Sequence, residues 1–284
     1  MNIDAHFHAW RLDRGDYGWL TPALGPIHRD VQVSDWWAQA APQGVQGGVL
    51  VQAAPTAAET AFLLDQAARH PQVLGVVGWV DLLAPDAPQQ VAALAAQPRL
   101  KGLRPMLQDI EDTGWIAQDA VLPALAAMAA CGLVFDALIQ PRHLGVIADL
   151  ARRHPTLRIV VDHGAKPLMP ATQEEVSGQA LREWREGLEA LAQSTEAGRV
   201  MCKLSGLWTE APSGRPCAHV LPWAEALLQV WGPERLIWGS DWPVLELAGA
   251  YATWHALSAD LLAQCSEAQR RAVFGGNARR MYRL

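Results

Sequence analysis

The chain is poor in cysteine, carries no excess of basic residues and has no long apolar run. Each scarcity removes a class of protein. The four cysteines among 284 residues are Cys131, Cys202, Cys217 and Cys265, with no CxxC pair and no disulfide-framework spacing. A disulfide scaffold is excluded, and the reduced cytoplasm is the expected compartment. Acidic residues outnumber basic ones by 29 to 23, a formal charge of −6, so neither nucleic acid nor an anionic membrane is expected as a partner. No stretch of about 18 uncharged apolar residues occurs, so no membrane span is expected. The opening Met1-Asn2-Ile3-Asp4 lacks the basic and apolar regions of a secretory signal, and none is expected. Phenylalanine and tyrosine are few, at 4 and 3, yet tryptophan reaches 13. Indoles fill cores and also stack on sugars and other flat or apolar ligands. With half its residues hydrophobic and 18% charged, the chain can bury a large core.

Short β-rich runs alternate with longer Ala/Leu-rich ones. Strands are expected at Ile3–His8, Gly48–Gln52, Leu74–Asp81, Leu100–Arg104, Leu133–Leu138, Leu157–His163, Val200–Ser205 and Leu236–Asp241. Helical patterns occupy Ala57–Arg69, Asp119–Ala130, His143–Arg153, Ala180–Gln193 and Ala224–Trp231. Strand starts recur every roughly 33 residues, the size of one βαβ step. Eight such units predict an α/β fold, a closed (β/α)8 TIM barrel, in one domain over residues 1–284. Near the end, Ser266 and Gln269 form a capping-box pattern, Gly275-Gly276 should stop that helix, and Asn277 should cap a last turn. The longest connection, at about 9–46, carries Trp10, Trp19, Trp36 and Trp37. In a barrel it lies over the mouth, as a lid or as packing for the outer helices.

Active sites of such barrels lie at the C-terminal strand ends. Here those ends are His6 and His8, Gln52, Trp79 and Asp81, Arg104, Asp136, His163, Lys203 and Ser205, and Asp241. So many polar ends on one rim predict a polar site. In His6-Phe7-His8, a side-chain period of two puts both imidazoles on one face, about 7 Å apart, suited to one metal ion or one ligand group. Asp241 follows Ile237 and Gly239 on one strand face and should point into the mouth beside strand 1. The competing assignment for Asp241 is a turn aspartate before Pro243. His163 precedes Gly164, a glycine that would let backbone approach a ligand. Asp162 and Asp4 are the adjacent acids, able to orient a histidine or cap a loop. Arg104, Lys166 and Lys203 are rim cations, able to polarise a carbonyl or hold a carboxylate; for Lys166 a structural ion pair is the plain alternative.

These motifs together resemble the amidohydrolase superfamily. The resemblance rests on His6-Phe7-His8, Lys101–Pro105, Val161-Asp162-His163-Gly164-Ala165-Lys166-Pro167, Cys202–Leu207 and Gly239-Ser240-Asp241-Trp242-Pro243. Within that superfamily they are most similar to the amidohydrolase-2 branch, whose lactonases act on sugar-acid lactones and pyrone dicarboxylates. The resemblance implies a barrel, hydrolysis, a strand-1 histidine pair and the strand-8 aspartate as catalytic base. Metal-dependent members carry a bridging Lys or Glu on strand 4 and a His on strand 5. Arg104 and Asp136 stand there instead, so two metals are not expected. His6, His8 and Asp241 remain a potential site for one divalent ion such as Zn²⁺, which the lactonase branch does not always need.

The resulting expectation is hydrolysis of a small-molecule lactone. Asp241 takes a proton from water, and Arg104 and His163 act with it on the ring carbonyl. Gln52, Trp79, Asp81, Gln108, Lys166, Lys203, Ser205 and Trp242 are the candidate substrate-binding residues. Cations are few and indoles many, which favours a neutral aldonolactone over one with several carboxylates. Two rivals are a metal-dependent decarboxylase of the same superfamily and a non-catalytic ligand-binding barrel. The absent fifth-strand histidine counts against the first, and the presence of Asp241 against the second. No sequence feature specifies an oligomeric state.

Overall fold

The computed structural model describes residues 1–170, 178–194 and 198–284. Among them eight strands pair in parallel and in sequence order: β1 (Asn2–Phe7), β2 (Val45–Val51), β3 (Val73–Gly78), β4 (Leu100–Leu103), β5 (Val134–Ala137), β6 (Arg158–Val161), β7 (Val200–Leu204) and β8 (Leu236–Trp238). The circle closes between β1 and the residues after β8. The His8 N–H donates to the Trp242 carbonyl at 2.8 Å, and the Asp241 N–H to the His6 carbonyl at 2.8 Å. The expected (β/α)8 barrel is therefore the fold.

The predicted helix Ala57–Arg69 has the bounds read from its apolar period, with Thr56 accepting from the Glu59 N–H as its N-cap. Further helices at Val33–Ala40, Ala87–Ala95 and Tyr251–Leu261 lie in stretches that the sequence reading left as connections. The strands are shorter than predicted at their C-terminal ends. β3 stops at Gly78, before Trp79 and Asp81, and β8 stops at Trp238, before Asp241. The Ser266–Gln269 capping box forms. Asn277 is no cap: it begins the helix Asn277–Tyr282, and its amide donates to the Pro233 and Leu236 carbonyls.

The barrel interior is layered. At the bottom Ile3, Ala5, Val49, Val51, Val77, Val134, Val160, Met201 and Ile237 form an apolar plug, against which Met281 and Tyr282 of the last helix pack. Strand alternation puts Asp136, Asp162 and Lys203 one step higher, two residues beyond Val134, Val160 and Met201. The larger core lies between the sheet and its helices and holds most of the indoles, among them Trp10, Trp36, Trp184, Trp223 and Trp238.

Candidate active site

The cluster at the mouth is built on irregular backbone after the strands. Strand β1 shifts register against β2 between Asp4 and Phe7. Phe7 stacks outward on Trp36 at 3.8 Å, while the His6 and His8 rings meet at 5.0 Å. That is closer than strand spacing alone predicts. Asp241 adopts φ +60°, a left-handed conformation uncommon for aspartate. Its placement therefore comes from a turn and not from strand alternation. Gly239 allows the approach, since a Cβ there would stand 2.8 Å from the His6 Cβ and 3.0 Å from its nitrogen.

Three imidazoles converge on one carboxylate oxygen. The Nε2 atoms of His8, His6 and His163 lie 3.2, 3.5 and 3.7 Å from Asp241 Oδ1, and all four residues are buried. His8 Nδ1 is 2.8 Å from the Val51 carbonyl, an acceptor only, so it must carry the ring proton. In neutral His8 the Nε2 lone pair then faces Asp241. His6 differs: its Nδ1 lies 3.1 Å from the Lys203 ammonium and 3.5 Å from Asp162 Oδ1, while Arg104 Nη1 approaches Nε2 at 3.3 Å. Lone pairs aimed at a carboxylate repel unless a cation or proton lies between them. This donor set fits a divalent ion.

The charges follow from burial. Burial holds His6 far below the ordinary histidine range, helped by Lys203 and against Asp162. It lowers His163 to about 4, although Asp241 and Asp162 pull the other way. Both rings are neutral at physiological pH. Burial alone would raise Asp241, but a proton or cation shared with His163, His8 and His6 outweighs it and holds the carboxyl below its ordinary range.

Beneath the mouth is a buried charge network. Lys203 Nζ pairs with Asp136 Oδ2 at 2.6 Å and Asp162 Oδ1 at 2.9 Å, and approaches His6 Nδ1 at 3.1 Å. Tyr282 donates to Asp136 at 2.9 Å from the barrel floor. Arg104 pairs with Asp162 Oδ2 at 3.2 Å and donates to the Gln52 carbonyl. Asp4 does the linking expected of an adjacent acid. It accepts from the Ser240 N–H and hydroxyl, Trp36 and Tyr251, and so ties β1 to the Asp241 turn.

A cavity of about 280 Å³ opens over the cluster. His8, His163, Arg104 and Asp241 form its floor, and Gln108 and Lys166 also line it. Several other candidates stand elsewhere. Lys203 is not on the rim: strand alternation places it inside the barrel, fully buried. Ser205 is buried behind His163, its hydroxyl 2.9 Å from Nδ1. Gln52 is buried with its amide on the Arg104 carbonyl at 2.7 Å. Trp242 is core, its indole N–H donating to Glu246. Trp79 and Asp81 line a neighbouring chamber, because β3 ends before them. Lys166 carries the ion pair that was its plain alternative, to Glu210 at 2.7 Å. Gly164 does not face a ligand, since a Cβ there would meet Leu227 and Trp184.

The cavity also has walls the sequence reading missed: Met106, Asp109, Leu138 and Val244. Met106 and Asp109 come from the loop just after β4, and reading a few residues past each strand end would have found them. From the long 9–46 connection, Trp19 reaches the cavity and donates to the Ala53 carbonyl at 2.7 Å, whereas Trp10 and Trp36 are core.

An amidohydrolase family model matches residues 3–284. The chain belongs to the amidohydrolase family. This amidohydrolase is 44% identical to an L-fucono-1,5-lactonase of Burkholderia ambifaria, over the whole chain and 96% of the relative. It is 35% identical to an L-fucono-1,5-lactonase of Burkholderia multivorans, again over the whole chain and 96% of the relative. A crystal structure of a Burkholderia multivorans amidohydrolase with bound zinc superimposes with a TM-score of 0.90 at 34% identity, covering 100% of this chain and 99% of that one.

Proposed function

We propose that this amidohydrolase opens the ring of a neutral sugar-acid lactone, with an aldono-1,5-lactone of the fuconolactone type as substrate. The observation that carries the reading is the convergence of His6, His8 and His163 on Asp241 Oδ1 beside Arg104. It occurs in a chain 44% identical to an L-fucono-1,5-lactonase. Neutrality of the substrate is supported by the charges of the cavity. Both cations that line it are already paired, Arg104 to Asp162 and Lys166 to Glu210, so a dicarboxylate would be desolvated without a free partner.

Asp241 removes the proton from the attacking water. The carboxyl is held below its ordinary range and so is ionised at neutral pH, but it is a weak base for the same reason. Proton transfer therefore accompanies attack on the carbonyl and does not precede it. Arg104 presents a guanidinium edge to the developing oxyanion, and neutral His163 orients the other face. Asp241 then returns the proton to the ring oxygen, which leaves as an alcohol. A divalent ion held by His6, His8 and Asp241 would supply Lewis-acid polarisation of the carbonyl and a more acidic water. Gln108 and Lys166 take the hydroxyls at the cavity rim.

Acid release from a lactone panel, read with a pH indicator, tests the assignment. Aldonolactones should be opened with sharp discrimination between epimers, because a lost hydroxyl contact leaves a buried polar partner unpaired. Faster turnover of a pyrone dicarboxylate than of every aldonolactone would overturn neutrality and leave lactone hydrolysis standing. Metal analysis of the purified protein should find at most one tightly held equivalent; two would contradict the single-site reading.

A further inference from the structure

A second chamber of about 410 Å³ adjoins the catalytic cavity. The two share Trp19, Met106 and Asp109 as walls, so the chamber is the catalytic cavity's continuation toward β3 and β4. Three indoles line it: Trp19, Trp79 and Trp115. Trp19 is fixed by its hydrogen bond to Ala53 and an edge-on contact with Trp10. Trp79 and Trp115 complete the aromatic lining.

The charged side chains of the chamber are all of one sign. Among the described residues Asp16, Asp81 and Asp109 line it, and no lysine, arginine or histidine does. Asp16 pairs with Arg14 through Oδ2, while its Oδ1 is buried with no donor among the described residues. An anionic group would be repelled here. A wholly apolar group would take water from the exposed Asp81 and Asp109 carboxylates and replace none of their hydrogen bonds. A pyranose ring meets both conditions, since its C–H face stacks on indole and its hydroxyls donate to carboxylates.

We infer that the chamber walled by Trp19, Trp79 and Trp115 is a second sugar subsite, which takes a neutral pyranose joined by a glycosidic bond to the lactone being opened. The inference rests on the lactonase reading and extends its substrate class from monosaccharide lactones to glycosylated ones. The catalytic cavity of about 280 Å³ falls just below the range of about 300–1,000 Å³ for small-molecule sites and suits one ring, and the adjoining chamber supplies space for the next.

The test compares L-fucono-1,5-lactone with the same lactone carrying a β-galactosyl residue on its 3- or 4-hydroxyl. Wild-type protein should open at least one glycosylated lactone with kcat/KM no lower than for the parent. Trp115→Ala should lower that value at least tenfold and leave the parent within twofold, and Trp115→Phe, which keeps a flat face, should recover most of the loss. The inference is overturned if the parent is opened and neither glycosylated lactone is, or if Trp115→Ala slows both substrates equally. If no lactone at all is opened, the lactonase reading fails by itself. Calorimetric titration with methyl β-galactoside then decides the subsite separately. Binding by wild type that Trp115→Ala abolishes supports it, and absence of binding, or equal binding to both, overturns it.

Discussion

Asp241 reaches His6, His8 and His163 through a single oxygen, so its removal is the most informative change of one residue. Asp241→Asn keeps the size and deletes the proton acceptor. It should lower kcat by two or more orders of magnitude with little change in Tm. A loss below tenfold would amount to only ~1.4 kcal/mol and would take Asp241 out of the base role. Ser205 acts on the reaction through His163. Its hydroxyl, 2.9 Å from Nδ1, orients a ring whose other nitrogen faces Asp241. Ser205→Ala should reduce kcat/KM roughly tenfold, as loss of an orienting partner does. Unchanged kinetics would show that Gly206, whose added Cβ would meet His163 Nδ1 at 2.3 Å, positions the ring by packing alone.

At the scale of elements, closure of β1 against the turn after β8 depends on Gly239. The φ of Gly239 is not left-handed, so the requirement is space. Gly239→Ala should force the two elements apart, lowering Tm by several degrees and kcat with it. The first part of the 9–46 connection is held to the barrel by Glu59, which accepts from the Tyr17 hydroxyl at 2.6 Å and the Ala53 N–H at 3.0 Å and pairs with Arg14 at 3.3 Å. Burial pushes this carboxyl up to about 7, against hydrogen bonds from Tyr17 and Ala53 and the charge of Arg14. The folded state therefore binds the proton more tightly than the unfolded chain. The stabilisation is complete below the unfolded value near 4.5 and is lost as pH rises to about 7. Denaturant melts should show wild type losing stability across that window relative to Glu59→Gln, whose side chain does not titrate. Parallel curves would refute the shift.

Across the whole molecule, one buried chain of charge runs from the barrel floor to the mouth: Tyr282, Asp136, Lys203, Asp162, then His6 and Arg104. Burial disfavours the Lys203 ammonium, but Asp136 and Asp162 more than offset that and hold its pKa above the ordinary value. Asp162 likewise stays ionised despite burial, chiefly because of Lys203 and His6. Lys203→Met would leave two carboxylates facing each other in the barrel without their cation. It should cost about 3–5 kcal/mol of unfolding free energy, the range for breaking a buried pair. A loss under about 1 kcal/mol would mean that water already reaches this layer.

The eight-unit repeat was enough to determine the barrel, because alternating apolar strands and helices admit few other closed arrangements. The strand ends likewise singled out His6, His8, Arg104, His163 and Asp241 as candidates, since the chemistry of this fold sits on one rim, and the fold brings the five together. What the tertiary structure decided is where each polar end points. A period of two carries Lys203 into the interior when its strand is followed from Met201, and it is barrel closure that makes this interior a charge layer. Left-handed turns at His163 and Asp241 aim side chains in directions no strand pattern encodes. Trp19 reaches the cavity from a connection whose path depends on Glu59 and Ala53, contacts separated by dozens of residues. Local periodicity is a property of the chain, whereas convergence on one oxygen depends on how eight strand ends close around it.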